Sequence, residues 1–202
     1  MIRVIRAAEQ IAQPWKNGGG STTQIVSQPE GATLDAFDWR VSMARVETDG
    51  PFSLFPQIDR TLAILDGEGV VLEVEGRAQI TVTGAGRPAR FPGDRPTHAR
   101  LIGGPVTDLN VMSRRGRFRH RLARIVVDGA TVVSVDADTL VALSLGEVRL
   151  GLDAEHRTLN VRDAAIITDA RDRSVSLTAA LPTIVWLAEI EALDPSDVAQ
   201  SL

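Results

Sequence analysis

The 202-residue sequence contains no cysteine and no tyrosine, and only 4% of its residues are aromatic. The absence of cysteine excludes disulfide bonds, thiolate zinc sites and a cysteine nucleophile. So few aromatic side chains also argue against a wide stacking platform for single-stranded nucleic acid. Because the formal net charge is −4, the chain lacks the basic character of most nucleic-acid-binding proteins, and we expect no nucleic-acid partner.

Long apolar runs are also missing, so we expect neither a membrane span nor a signal peptide at the start of the sequence. This predicts a cytoplasmic protein without a membrane partner. The hydrophobic fraction of 44% and the charged fraction of 24% are those of a globular protein. A chain of this length can bury a substantial core without covalent staples.

Histidine is scarce, and His98, His120 and His156 are far apart along the chain. No two of them have the H-x-H or H-x-x-x-H spacing of a metal site, so we predict no metal and no cofactor. The G-x-S-x-G motif of a serine nucleophile is absent as well. If the protein is nevertheless an enzyme, His98 and Asp108 are the candidates for acid–base catalysis.

The dominant pattern in what remains is an alternation of apolar and polar residues, clearest over residues 37–44. A period of two is typical of a strand with two unlike faces. Many such short segments are separated by turns, for which the sequence has 17 glycines and 10 prolines. The pattern predicts an all-β sandwich or barrel, with short helices only at Glu9–Gln13 and Ser196–Ser201.

An internal similarity suggests two related halves. Thr61–Leu65 followed by Val70–Leu72 aligns with Thr139–Leu143 followed by Val148–Leu150, at an offset of 78 residues. Chance similarity between two β-hairpins is one explanation, and two related β-lobes joined near Val126–Ala130 are the other. In the second case, polar positions of the first copy align with apolar ones in the second, which places the chemistry in the first lobe.

A glycine run near the N-terminus is the first candidate site. Gly18–Gly20 follows Lys16, the only lysine in the chain. Backbone N–H groups in such a turn can form a concavity that accepts an anion. Asn17 and Thr22 add polar side chains, so we interpret the segment as a carboxylate or phosphate site, with a flexible hairpin connection as the alternative. The spacing is not that of a P-loop.

Two predicted strands also place polar side chains on one face. Arg40 and Ser42 share a face of one strand, and Asp108, Asn110 and Met112 share a face of another. Arginine suits planar, bidentate recognition of a carboxylate. The alternative is that these side chains face solvent on half-buried strands.

A basic run, Arg114–Arg121, is the only such cluster in the sequence. We interpret it as a solvated strand edge, where charge discourages edge-to-edge pairing, and not as a DNA-binding surface. Because exposed edges can also pair across a two-fold axis, a homodimer is a possible assembly.

Taken together, these segments resemble the HutD/Ves family. The motifs occur in the family's order: Pro14-Trp15-Lys16-Asn17-Gly18-Gly19-Gly20, residues 37–44, residues 50–56, Asp59-Arg60 and residues 108–112. The match covers roughly residues 1–120. The resemblance implies a bicupin, with two β-barrel or jelly-roll-like lobes. Residues 1–125 would form the N-terminal cupin lobe with the ligand pocket, and residues 126–202 a smaller, structural, cupin-like lobe.

The family is associated with bacterial histidine utilisation, and the resemblance implies a non-enzymatic protein. Such a protein would modulate the pathway by binding a carboxylate intermediate, urocanate or formylglutamate. The alternatives are a metal-independent cupin enzyme, an isomerase or hydrolase acting on a small organic acid, and an interaction scaffold with a filled barrel.

Positions that match family motifs are expected in or beside the first-lobe pocket. They are Lys16, Asn17, Gly18, Gly19, Thr22, Arg40, Ser42, Arg60, Asn110 and Met112. We expect the Lys16 ammonium to face into this pocket beside a guanidinium and an amide. One departure concerns Thr23-Gln24, where the family has a basic and an acidic residue, and it puts the ligand preference in question.

Overall fold

The computed structural model describes residues 1–194, which form an all-β fold with seventeen strands and one short 3₁₀ helix, Ala7–Glu9. The strands are β1 (Ile2–Ile5), β2 (Ala12–Pro14), β3 (Gly20–Gln28), β4 (Trp39–Val46), β5 (Gly50–Pro51), β6 (Ile58–Asp66), β7 (Gly69–Val74), β8 (Ile80–Val82), β9 (Ala89–Pro92), β10 (Thr97–Ile102), β11 (Val106–Arg114), β12 (Phe118–Val135), β13 (Thr139–Ser144), β14 (Val148–Leu152), β15 (Glu155–Leu159), β16 (Ala164–Thr168) and β17 (Arg173–Ala192).

The prediction of an all-β chain is confirmed, but the first predicted helix is wrong. A strand begins at Ala12, inside the predicted Glu9–Gln13 helix. The predicted Ser196–Ser201 helix lies outside the described residues. Within residues 1–194, no helix has the length and apolar character needed to cross a membrane.

The described residues divide into two compact units. The terminal unit consists of Met1–Gln10 and Arg119–Asp194, and the middle unit of Ile11–Phe118. This differs from the predicted lobes 1–125 and 126–202 at both ends of the first lobe. The first ten residues belong to the terminal unit because β1 pairs antiparallel with β16, Ile2 opposite Ile167. The change of unit falls at the start of β12 and not near residues 126–130.

The middle unit contains two sheets, a six-stranded one in the order β2-β3-β4-β11-β6-β9 and a four-stranded one in the order β5-β10-β7-β8. Leu62 and Ile64 of β6 pack with Leu72 of β7 and Ala99 of β10 in one buried core. We call the side of the six-stranded sheet that carries Leu62 and Ile64 its inner face. Alternation along the strands places every second residue of β4, β6 and β11 on this face.

The terminal unit contains a seven-stranded sheet in the order β1-β16-β13-β17-β14-β15, with β12 paired to β17. Its core is aliphatic, with Leu140, Leu150, Leu177 and Leu187 among the most buried side chains. Burying an aliphatic side chain contributes about 1.5–3 kcal/mol to the free energy of unfolding, so this core can stabilise the terminal unit without a disulfide or a metal.

The two units repeat one pairing pattern. In the middle unit β6 pairs with β9 and β11, and β7 pairs with β8 and β10. In the terminal unit β13 pairs with β16 and β17, and β14 pairs with β15 and the same β17. Ala99 opposite Leu72 recurs as Leu177 opposite Leu150, at the predicted offset of 78 residues. The internal repeat is therefore a repeat of topology, although the repeated strands are not hairpins, since β6 and β7 lie in different sheets.

Candidate functional site

A band of polar side chains crosses the inner face of the middle unit. Directly opposed residues of paired strands point to the same side of a sheet. Arg40 of β4, Met112 of β11 and Arg60 of β6 therefore form one row across three strands. Ser42 and Asn110 lie in the next row. We define the polar cluster by its members Gln24, Arg40, Ser42, Arg60, Asp108 and Asn110.

Arg60 is buried at the centre of this cluster. Its Nε donates to Asn110 Oδ1 at 2.6 Å. Its guanidinium carbon lies 4.3 Å from the centroid of the Phe52 ring and 5.5 Å from that of Phe91. A guanidinium over aromatic faces is attracted by their quadrupoles, which offsets part of the cost of taking the charge out of water. Two aromatic rings and an amide therefore hold this cation in one orientation.

Arg40 is held by a neighbour that the sequence analysis left out of the site. Its Nε donates to Gln24 Oε1 at 3.0 Å, and Gln24 Nε2 donates to Ser27 Oγ at 3.3 Å. Gln24 alternates with Thr22 along β3 and pairs with Ser42, whereas a bulge at Gln24–Val26 brings Ser27 opposite Arg40. Alternation from Thr22 could therefore have identified Gln24, but not Ser27. Since Gln24 is exposed, the cluster reaches solvent at this point.

The two arginines have unused hydrogen-bonding capacity. Within residues 1–194, the terminal guanidinium nitrogens of Arg40 and Arg60 meet no protein acceptor. In the same part of the chain, Trp186 Nε1 is the one fully buried side-chain polar atom that lacks a partner. The terminal nitrogens of both arginines therefore border accessible space, where they can donate to a ligand.

One carboxylate, that of Asp108, shares the inner face with the two guanidinium groups and interacts with that of Arg60. Asp108 is 1% exposed, and it accepts hydrogen bonds from Asn110 Nδ2 and from the backbone of Ala44. Burial raises the pKa of Asp108 to about 7, although the charge of Arg60 opposes the rise. The cluster therefore carries more positive than negative charge even when this carboxylate is ionised.

The same burial acts on the cations. Burial lowers the pKa of Arg60 to about 10. The attraction of Asp108 opposes this lowering, and the repulsion of Arg40 adds to it. Burial also lowers the pKa of Arg40. Both groups stay protonated at neutral pH, so an anion in the adjoining space would relieve their repulsion.

The structure does not place Lys16 in this cluster. Lys16 is exposed in the turn between β2 and β3, and it has no hydrogen bond or ion pair within the described residues. No contact among the described residues joins Lys16 to the polar cluster, so a place for its ammonium in the pocket stays a prediction. An exposed lysine on a tight turn keeps its charge in water, which costs nothing in desolvation.

The glycine run is used for backbone packing and not for anion binding. Gly18 N–H donates to Trp15 O at 3.0 Å, and Gly19 N–H donates to Asn17 Oδ1 at 3.1 Å. A Cβ on Gly20 would overlap the carbonyl oxygen of Arg45 on the neighbouring strand. Gly20 thus permits the close approach of β3 to β4, and the N–H groups of Gly18 and Gly19 already have acceptors within the turn.

Two further predicted residues border the cluster without being free to bind. Thr22 Oγ1 accepts a hydrogen bond from Trp15 Nε1 at 2.7 Å. Met112 lies in the same row as the two arginines, but it packs with Phe37 and Ile58 in a small hydrophobic group. Ser42, in contrast, is buried opposite Asn110 within the polar cluster.

The structure separates the two candidate acid–base residues. Asp108 lies on the inner face of the six-stranded sheet, whereas His98 is exposed on the four-stranded sheet, on the side opposite the buried Thr97 and Ala99. His98 lines an open depression of about 430 Å³ together with Glu73, Glu75 and six other residues, one of them Phe52. His98 and Asp108 therefore do not form a catalytic pair.

The other two histidines are also dispersed. His120 is buried in β12, and His156 is exposed in β15. Within the described part of the chain, no group of three or more histidine, aspartate or glutamate side chains is arranged to hold a metal ion.

The repeated face of the terminal unit carries charges that neutralise one another. Glu189 of β17 faces the same side as Leu140 and Leu187, where the middle unit has its polar cluster. Arg121 Nε donates to Glu189 Oε2 at 2.7 Å, and Arg119 forms an ion pair with Glu191. Among the described residues, the buried arginines are Arg40 and Arg60, and both belong to the middle unit.

The basic run is also largely ion-paired. Arg114 and Arg117 pair with Asp38, at 3.8 and 2.6 Å. Arg115 pairs with Asp59 and Asp94, both at 2.9 Å. These acidic partners reduce the positive charge that the run presents to solvent.

The comparisons with known proteins agree with the sequence resemblance. The profile described as HutD matches residues 7–185. An uncharacterized 21.2 kDa protein in the hutC 3′ region of Pseudomonas putida is 34% identical over 160 residues, which is 75% of this chain and 83% of that protein. The protein Ves of Cronobacter sakazakii is 37% identical over 106 residues, 52% of this chain and 56% of that protein.

A solved structure extends the similarity to the fold. HutD from Pseudomonas fluorescens SBW25, determined in a formate condition, superimposes with a TM-score of 0.80 at 30% sequence identity. The superposition covers 96% of this chain and 100% of that structure. The described strands therefore follow an experimentally observed fold.

Proposed function

Because the chain belongs to the HutD family, we propose that it is a non-enzymatic protein of bacterial histidine utilisation that binds a carboxylate intermediate in its middle unit. Urocanate and formylglutamate are the candidate ligands. The observation that supports this function is the pair of buried guanidinium groups, Arg40 and Arg60, facing the single carboxylate of Asp108. The relative in the hutC 3′ region of Pseudomonas putida supports the link to this pathway.

The energies suit a metabolite sensor. A charge-assisted hydrogen bond contributes about 1.5–3 kcal/mol net. Two such bonds from Arg40 and Arg60, plus contact with the rings of Phe52 and Phe91, are adequate for micromolar affinity, which corresponds to about −8 kcal/mol. The polar cluster would fix the carboxylate, and the aromatic rings would contact the rest of the ligand.

For the architecture, we propose a bicupin, in which each unit is one cupin-like barrel. The repeated strand pairing supports this arrangement. The ion pairs of Glu189 with Arg121 and of Glu191 with Arg119 support a structural role for the terminal unit, because these two arginines are already neutralised.

The remaining expectations concern location and partners. A cytoplasmic location suits a protein that senses a metabolite, and ion pairing of Arg114, Arg115 and Arg117 supports regulation without direct DNA binding. A homodimer stays a prediction, which light scattering after size-exclusion chromatography tests.

Isothermal titration with urocanate, formylglutamate and histidine tests the function. We expect micromolar binding of at least one intermediate, and at least about tenfold weaker binding by Arg40→Gln and Arg60→Gln. Arg100→Gln is the matched control, since Arg100 is exposed on β10, and it should bind like the wild type. The absence of heat with millimolar ligand would contradict the proposal.

A second function is favoured by one observation. The pKa of Asp108, near 7, suits proton transfer at neutral pH, as in a metal-independent isomerase or hydrolase acting on a small organic acid. Turnover by metal-stripped protein that is lost in Asp108→Asn and kept in His98→Ala would support it. Identical turnover by the His98→Ala, Asp108→Ala double variant would remove both residues from the mechanism.

A further inference from the structure

We propose that Asp108 acts as a built-in counterion that restricts the ligand of this site to a single negative charge. The inference rests on the proposed function, because it concerns which anions the Arg40–Arg60 pair accepts. It makes Asp108 a residue that determines specificity, whereas the sequence analysis offered it only as a possible acid or base.

The charged groups that face the cluster can be counted element by element. β4 contributes Arg40, β6 contributes Arg60, and β11 contributes Asp108. From β3 the facing side chains are neutral: Thr22, Gln24 and Ser27. From the four-stranded sheet the core side chains are apolar: Val70, Leu72, Val74, Val82 and Ala99. With Asp108 ionised, the cluster carries one net positive charge.

One negative charge on the ligand therefore neutralises the cluster. A second would lie near Asp108 in a buried environment, where like charges repel strongly and desolvation is costly. The rings of Phe52 and Phe91 present negative π faces, so they offer no compensation to an extra anion. A dianion must therefore bind weakly, unless Asp108 is protonated when it binds.

Asp108 cannot move away to make room for a second charge. It lies on β11, which is flanked by β4 and β6 within the six-stranded sheet. Its carboxylate is held by Asn110 and by the backbone of Ala44. Through Asn110 Oδ1 the same chain of hydrogen bonds reaches Arg60 Nε at 2.6 Å. The counterion and the cation are thus parts of one fixed network.

The chemical class that follows is a monocarboxylate whose remaining part is planar or apolar and uncharged. Formylglutamate carries two carboxylates at neutral pH and urocanate carries one, so the charge count ranks urocanate above formylglutamate. The ranking follows from Asp108 alone, since an asparagine at this position would leave two positive charges and would favour the dianion.

The test compares two probes with one carbon skeleton, formylglutamate and its 5-methyl ester, by isothermal titration at pH 8. Urocanate serves as an additional monoanion. We expect the wild type to bind the monoanionic ester at least about tenfold more tightly than the dianion. In Asp108→Asn this ratio should fall by about tenfold or more. Asp66→Asn, which removes the same charge from an exposed position, should keep the wild-type ratio.

A second measurement does not depend on the variant folding. Lowering the pH from 8 to 6 protonates Asp108 in the wild type, while both carboxylates of formylglutamate remain ionised. The ratio of the affinity for the ester to the affinity for formylglutamate should therefore fall at pH 6 and rise again at pH 8. A pH-independent ratio would count against the role of Asp108 even if Asp108→Asn cannot be purified.

The outcomes separate this inference from the proposed function. An unchanged ratio in Asp108→Asn and at pH 6, with binding that still depends on Arg60, overturns the inference and leaves the proposed function standing. If no probe binds to the wild type or to Asp108→Asn, the proposed function fails and the inference fails with it.

Discussion

The guanidinium carbon of Arg60 lies 4.3 Å from the centroid of the Phe52 ring. Phe52 belongs to the loop between β5 and β6, and it also lines the open depression beside His98. In the same loop, Phe55 packs against Phe37 with ring centroids 6.0 Å apart. Phe55 thus anchors the loop, while Phe52 lines the accessible depression and also contacts the buried Arg60 guanidinium.

We expect Phe52→Leu to weaken ligand binding, since leucine keeps the apolar contact but removes the ring face. The lost cation–π attraction is about 0.5–2 kcal/mol, so Kd should rise by about 2- to 20-fold. Isothermal titration measures this change. Leu54→Ala, an exposed position in the same loop, is the control, and equal affinities for the two variants would contradict the contact's role.

Lys16→Ala should bind ligand within about twofold of the wild type, because an exposed charge in high dielectric contributes little. Arg60→Lys should bind about tenfold more weakly, since lysine cannot donate both to Asn110 Oδ1 and, in bidentate fashion, to a carboxylate. Titration of both variants provides the comparison. A large loss of affinity in Lys16→Ala would restore the glycine-run site.

Gly20→Ala should destabilise the fold by about 2 kcal/mol or more, because the added Cβ overlaps the Arg45 carbonyl and forces β3 away from β4. Gly50→Ala meets no atom within 4 Å and should change the free energy of unfolding by less than about 1 kcal/mol. Urea denaturation of both variants measures the difference. Similar stabilities would show that the glycine run is not a packing requirement.

The titration of Asp108 predicts a pH-dependent stability difference. Its pKa is about 7 in the folded protein and about 3.9 in an unfolded chain. Between these values the folded state holds a proton that the unfolded state has released, so its contribution to stability falls as pH rises, by about 2–4 kcal/mol in total. Above pH 7 the effect is constant, because both states are ionised.

Asp108→Asn lacks this titration, so its free energy of unfolding relative to the wild type should rise from pH 4 to pH 7. Urea denaturation across this range measures the difference. The exposed Asp66→Asn variant is the control for loss of the same charge. Asp94, Asp163 and Glu191, whose pKa values are lowered, stabilise the fold in the opposite sense, but they are common to all three proteins. A pH-independent difference between Asp108→Asn and the wild type would contradict the raised pKa of this buried carboxyl.

Much of the middle unit was predictable because strand alternation is a local property of the backbone. Arg40 with Ser42, and Asp108 with Asn110 and Met112, share faces as their spacing requires. The repeat at 78 residues was also readable, since both copies keep the same order of strands and turns. The order of the motifs along the chain also identifies the family, because it is a property of the sequence itself.

Tertiary structure alone decided which of these faces meet and which residues reach them. The pairing of β1 with β16 spans most of the chain, so no local pattern assigns the first ten residues to the terminal unit. The bulge that brings Ser27 opposite Arg40 is a matter of register between strands. The close packing of Gly20 against the Arg45 backbone is likewise a contact between separate strands, which no local pattern specifies. Side-chain direction along a strand follows from the residues themselves, whereas the surroundings of each charge depend on long-range packing.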